Sequence, residues 1–192
     1  MRLMVLATGL LFISQTAFAH EASGLAGGFA SGLMHPVLGW DHVAAMVAVG
    51  LWGAVLGQPA IWVLPVTFPL VMAIGGALGV AGVALPGVEI GIAASALVLG
   101  VMVLAAARPP LWLAALIVAA FAVFHGHAHG TELPGAASPL AYSLGFVLST
   151  GLLHMLGIAF GLLTRWRSGV VLVRAGGAVI AMAGALFLSR AI

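Results

Sequence analysis

The chain has 192 residues, 64% of them apolar and only 5% charged, and its mean hydropathy is +1.28. Soluble domains carry about 25% charged residues, so this composition excludes an ordinary water-soluble globule and points to lipid as the solvent. A formal charge of +2, built from six arginines and no lysine against four acids, leaves no basic patch for nucleic acid. Without cysteine, neither disulfides nor thiolate metal ligands arise.

Residues 1–19 read as a cleavable signal peptide. Arg2 gives a short positive start, Val5 to Ile13 an apolar stretch, and Ala17-Phe18-Ala19 a small-residue cleavage site. Cleavage would leave His20 as the N-terminus outside the cytoplasmic membrane. Its amine and ring nitrogen would then be able to chelate a metal beside Glu21.

Six apolar stretches follow, at 33–56, 60–84, 88–107, 111–129, 140–164 and 169–188. Each comes near the roughly 20 residues that a spanning helix needs. The breaks between them carry Gly, Pro or Arg, as at Gly57-Gln58-Pro59, Pro86-Gly87, Pro109-Pro110, Pro134 to Pro139 and Arg165-Trp166-Arg167-Ser168. Continuous apolar runs exclude the alternating wall of a β-barrel. The expected fold is therefore all-α, a polytopic membrane helical bundle in which residues 20–192 form a six-span domain after the signal peptide. With the mature N-terminus outside, Arg108, Arg165 and Arg167 fall in cytoplasmic loops, while Glu21, Glu89 and Glu132 face the outer side. The positive-inside rule thus agrees with the signal peptide, and the expected location is the bacterial cytoplasmic (inner) membrane.

Within the spans, Pro65 and Pro69 remove backbone donors and predict a bend. Gly75, Gly79, Gly145, Gly157, Gly161, Gly177 and Gly184 read as close-packing positions between helices. Five of the seven histidines and two of the four acids sit in two short segments, His35-Pro-Val-Leu-Gly-Trp-Asp41-His42 and His125-Gly-His127-Ala-His129-Gly-Thr-Glu132. Ionisable groups in or beside lipid mark functional paths by default, and a divalent transition metal is the simplest partner for such a cluster.

On a helix, His125, His129 and Glu132 share one stripe, while His127 points to the opposite side. His42 and Met46 share a face. His35 and His42 align but stand about 10 Å apart along a regular helix, so one ion cannot reach both unless Pro36 and Gly39 deform the chain. Pro36 suits the first helical position, leaving His35 at the start of its helix. Asp41 reads either as a ligand or as an acceptor that orients an imidazole. His154, with Thr150 one turn before it, is the histidine deepest in the membrane and a candidate inner station.

At these residues the sequence resembles the HupE/UreJ family of membrane accessory proteins associated with nickel enzymes such as hydrogenase and urease. The resemblance rests on His35, Asp41-His42, Met46 and Gly50, on Phe124-His125-Gly126, Ala128-His129-Gly130 and Glu132, and on a signal peptide ending just before His20. It implies a nickel (or cobalt) permease whose metal ligands are His35, Asp41, His42, His125, His129 and Glu132, working beside nickel-enzyme maturation proteins.

The leading expectation is passage of Ni²⁺, with Co²⁺, Zn²⁺ and Cu²⁺ compatible with the same imidazole and carboxylate ligands. The ion would bind at the outer ends of spans one and four. No phosphate-cradling Gly-rich loop with Lys exists, so ATP is not the expected energy source. The chain is not expected to be an enzyme. The competing readings are an intramembrane zinc hydrolase that activates water near Ser149 or Thr150, a haem-binding membrane subunit, and a metal sensor or chaperone.

Overall fold

A computed structural model describes residues 25–133 and 138–192, and throughout them the ordered structure is helical. The signal peptide, His20 and Glu21 lie outside the described residues. Seven α-helices follow one another: α1 (Leu25–Leu38), α2 (Trp40–Leu56), α3 (Ala60–Val80), α4 (Val88–Leu104), α5 (Leu111–Thr131), α6 (Pro139–Gly161) and α7 (Arg167–Ala191). A single 3-10 turn, Leu162–Arg165, links the last two.

Helices α3, α5 and α7, and α6 with its 3-10 extension, are long and apolar enough to cross a membrane. Helix α4 is apolar but has 17 residues, the short end of the range for a span. The outer surfaces are hydrocarbon: Val66, Leu70 and Ile74 on α3, and Val171, Leu172 and Val179 on α7, are all exposed. An apolar surface this extensive marks a face that meets lipid or another protein.

The first expected span departs from its expected form. Residues 33–56 are not one helix, because α1 and α2 meet at Gly39 with a bend of 81°. Gly39 is extended (φ −93°, ψ 107°) and caps α2. Pro36 is not the first helical residue either: it lies inside α1, so His35 occupies that helix's last turn. Helix α1 begins well before Leu33 because Gly32 and Gly145 let its backbone press directly on that of α6, Gly32 against the Tyr142 carbonyl and Gly145 against the Phe29 carbonyl.

Glycine seams set the other contacts too. On α3, Gly75 and Gly79 meet the carbonyls of Val123 and His127, and on α5, Gly126 and Gly130 meet those of Met72 and Gly76. Gly157 joins α6 to α2, and Gly177 and Gly184 join α7 to α4. Every glycine expected to be a packing position is one. Between the seams lies a dry core containing Met46, Val49, Trp52, Leu64, Phe68, Leu99, Val103 and Val118. The indole of Trp52 donates to the Ala107 carbonyl at 3.0 Å, so this buried ring leaves no donor unpaired.

The seams generate a test. A side chain at 126 would collide with the Met72 backbone, whereas nothing lies within 4 Å of a Cβ at Gly151. Gly126→Ala should therefore destabilise by about 1–3 kcal/mol, as overpacking does, and Gly151→Ala should be neutral. Thermal unfolding of the two variants in detergent measures the difference.

Candidate metal centre

Three helix ends bring the ionisable residues together. The break at Gly39 places His35, on the last turn of α1, back towards His42 on the first turn of α2. Helix α5 carries His125 and His129 one turn apart, and Glu132 caps its C-terminus, its N–H bonded to the Ala128 carbonyl at 3.0 Å. Two overlapping groups result: His42, His125 and His129, and then His35, His129 and Glu132. Within each group, one ligand atom per residue lies within 4.8 Å of the others. Imidazole nitrogens bind such metals at about 2.1 Å, so ligands sharing an ion stand up to about 4 Å apart. The observed spacing closes with small side-chain movements.

Hydrogen bonds decide which nitrogens remain for a cation. The Asp41 carboxylate accepts from His42 twice, from its backbone N–H and from ring Nδ1, each at 2.8 Å. A carboxylate only accepts, so Nδ1 carries the proton and Nε2 holds the lone pair. That Nε2 is buried and has no hydrogen-bond partner among the described residues. Asp41 thus stands behind His42, in the carboxylate–histidine arrangement that orients metal ligands. A Cβ at residue 39 would sit 3.0 Å from both Asp41 Oδ1 and His42 Nδ1, so Gly39 protects this pair as well as making the bend.

His125 is wholly buried. Its Nε2 lies 2.9 Å from the Ser95 hydroxyl on α4, and that hydroxyl donates to the Ile92 carbonyl at 2.6 Å. The single hydroxyl proton is spent on Ile92, so Ser95 must accept from Nε2–H. Nδ1 of His125 is then the free atom, and it too is buried without a partner. His129, packed against Phe146 with ring centroids 4.3 Å apart, leaves both nitrogens unpartnered. Buried polar atoms are normally satisfied, and exceptions require an explanation.

The two groups differ in wetness. His35 Nε2 lies 3.4 Å from Glu132 Oε2, with side chains 33% and 55% exposed, whereas His125 and His129 are 0% and 7% exposed as residues. His35 and Glu132 therefore form the more exposed end of the cluster and the triad the more buried one, and His129 belongs to both groups of three. The rings run in sequence, with centroids 4.8 Å apart for His35 and His129, 4.6 Å for His42 and His129, and 4.8 Å for His42 and His125.

The other sequence candidates lie as follows. His127 turns away and its Nε2 bonds the Val83 carbonyl at 2.7 Å, as its place on the opposite face of the helix requires. Met46 is fully buried in the apolar core. His154 on α6 is 2% exposed and touches Phe68 edge-on at 5.5 Å. Ser95 and Phe68 carry no sequence signal: a serine in an apolar helix reads as a small packing residue, and a phenylalanine as core.

Apolar helices around a cluster of imidazoles, three of which keep a ring nitrogen unpartnered among the described residues, define a polytopic membrane protein with side chains able to hold a transition metal. Comparison with known proteins agrees. Residues 8–187 match the family described as HupE / UreJ protein. The chain is also 42% identical to Protein HupE of Rhizobium leguminosarum bv. viciae over 189 residues, covering 98% of this chain and 99% of that protein. No solved structure matches. The chain belongs to the HupE/UreJ family, one of accessory membrane proteins and not of enzymes.

Partners that orient a metal ligand typically contribute 10–100-fold to affinity. If the cluster holds a divalent transition metal, Ser95→Ala should weaken its binding by about that factor, read by calorimetric titration of the purified protein. The apoprotein should also unfold more easily, since His125 Nε2–H is left buried without an acceptor, at a cost of about 1–3 kcal/mol.

Proposed function

We propose that this protein is a transition-metal permease of the cytoplasmic membrane, carrying Ni²⁺ and to a lesser degree Co²⁺ for the maturation of nickel enzymes. One observation carries the reading: His35, His42, His125, His129 and Glu132 converge from three helix ends, and His42, His125 and His129 each keep a buried ring nitrogen without a partner among the described residues. Membership in the HupE/UreJ family supports it. Residues 1–19 are a signal peptide, the chain crosses the membrane six times with its mature N-terminus outside, and the cluster faces the outer side.

The ion is gathered by His35 and Glu132 and passed to the triad while His129 holds it. Asp41 orients His42 and stays out of the coordination sphere. His20 adds a ligand at the mature N-terminus, and Met46 lines the wall behind His42. A ligand set without thiolate binds weakly enough to release, as conduction requires. The membrane potential alone supplies roughly 4.6 kcal/mol per 100 mV for a divalent ion, so ATP is not needed. Ring centroids only 4.6–4.8 Å apart leave no slab for a porphyrin between these histidines, which disfavours a haem-binding role.

The test is influx into vesicles holding the purified protein, with Ni²⁺, Co²⁺, Zn²⁺ and Cu²⁺ supplied singly. Ni²⁺ should enter with the wild type, and His42→Ala or Glu132→Ala should abolish entry. His127→Ala should leave entry nearly unchanged, since that ring serves the Val83 carbonyl. Equal losses in all three variants, or no influx at all, would overturn the reading.

A further inference from the structure

Beyond the cluster, α6 holds a second set of polar atoms with no evident use. Both ring nitrogens of His154 are buried and have no hydrogen-bond partner among the described residues, and the hydroxyl of Thr150, one turn earlier, is likewise buried and unpartnered. A mid-helix threonine ordinarily returns its proton to the carbonyl one turn back, so its idleness here is unusual. On the facing helix, Pro69 has no N–H to give the Pro65 carbonyl four residues before it. That carbonyl approaches the His154 ring outside hydrogen-bonding geometry.

An idle imidazole, an idle hydroxyl and a freed carbonyl thus share one region of a dry interior. Irregular backbone at membrane depth is tolerated where it lines a polar path. The region lies deeper than the cluster: the His154 backbone meets Gly50, eight residues along α2 from His42, or about 12 Å of helix. Phe68 contacts both places, its ring 5.3 Å from that of His125 and 5.5 Å from that of His154. It is itself wholly buried.

We infer that His154, Thr150 and the Pro65 carbonyl form a second, inner station for a divalent transition-metal ion, and that the Phe68 side chain is the apolar barrier between it and the outer cluster. The station deepens the permease reading and rests on it. Pro69 belongs to the site through the donor it lacks: a residue with an N–H there would reclaim the Pro65 carbonyl for the helix. An imidazole and two neutral oxygens make a weaker site than the outer triad, and an ion moving inward therefore needs the field across the membrane to reach it. Passage from one station to the other requires the Phe68 ring to turn aside.

The test uses the full-length protein in two ways. Equilibrium dialysis of Ni²⁺ in detergent should show one more ion bound to the wild type than to His154→Leu, with the tighter binding event retained in the variant. In vesicles, His154→Leu should reduce Ni²⁺ influx about tenfold or more, the loss of a single good ligand. Pro69→Ala, which restores a helical donor and favours folding, should also slow influx and lower the inner affinity, and Thr150→Val should act in the same direction. If wild type passes Ni²⁺ while His154→Leu and Pro69→Ala bind and pass it equally well, the inner station is overturned and the permease stands. If the wild type neither binds nor passes Ni²⁺, both fall.

Discussion

Between Leu38 and Trp40 the backbone turns by 81°, and the geometry of the site follows from that turn. In a straight helix His35 and His42 would stand two turns apart, too far to serve a common purpose. The extended residue Gly39 folds α1 back across the start of α2, and its missing side chain leaves room for the Asp41–His42 pair directly behind it. One glycine therefore sets where His35 points, which nitrogen of His42 is protonated and how the carboxylate is held. Helix α1 can take this course because its glycines rest on the α6 backbone, which replaces the continuous helix that would otherwise satisfy a chain in lipid.

The imidazoles are costly where they stand. Leaving a buried donor or acceptor without a partner costs about 1–3 kcal/mol, and the cluster contains at least four such atoms: His42 Nε2, His125 Nδ1 and both nitrogens of His129. The glycine seams offset this by close helix contact, which is the main attraction available between helices in lipid. The seam between α3 and α5 runs through Gly126 and Gly130, the residues interleaved with His125, His127 and His129. The motif therefore joins two features: His125 and His129 converge on the cluster, and the glycines clamp the helix that aims them.

Much of this was legible in the residues. Apolar runs broken by Gly and Pro located α3 to α7 closely, and helical spacing separated His125 and His129 from His127. The form of the first span was not legible. Pro36 favours a helix start, and the first apolar stretch begins only at Leu33, whereas Gly28 and Gly32 become helical positions through their contacts with Ser138 and Tyr142. Ser95 was invisible for another reason: its bond to His125 spans thirty positions in the sequence, and serine has no signature in an apolar helix. Local pattern specifies helices and faces, whereas the tautomer of a buried imidazole depends on a neighbour that only the fold supplies.

The overlap of the two ligand groups bears on how an ion would move. Stripping a divalent cation of all its ligands in a low-dielectric interior is prohibitively costly, so a path through lipid works only by exchanging ligands one at a time. His129 lies in both groups, so in the permease reading His35 and Glu132 would be replaced by His42 and His125 around a residue common to the two. The exchange also runs from a half-exposed carboxylate, which attracts the hydrated cation, to neutral imidazoles, which hold it with less charge compensation. In the permease reading, that order would favour entry from water and leave the ion among neutral ligands at the buried end.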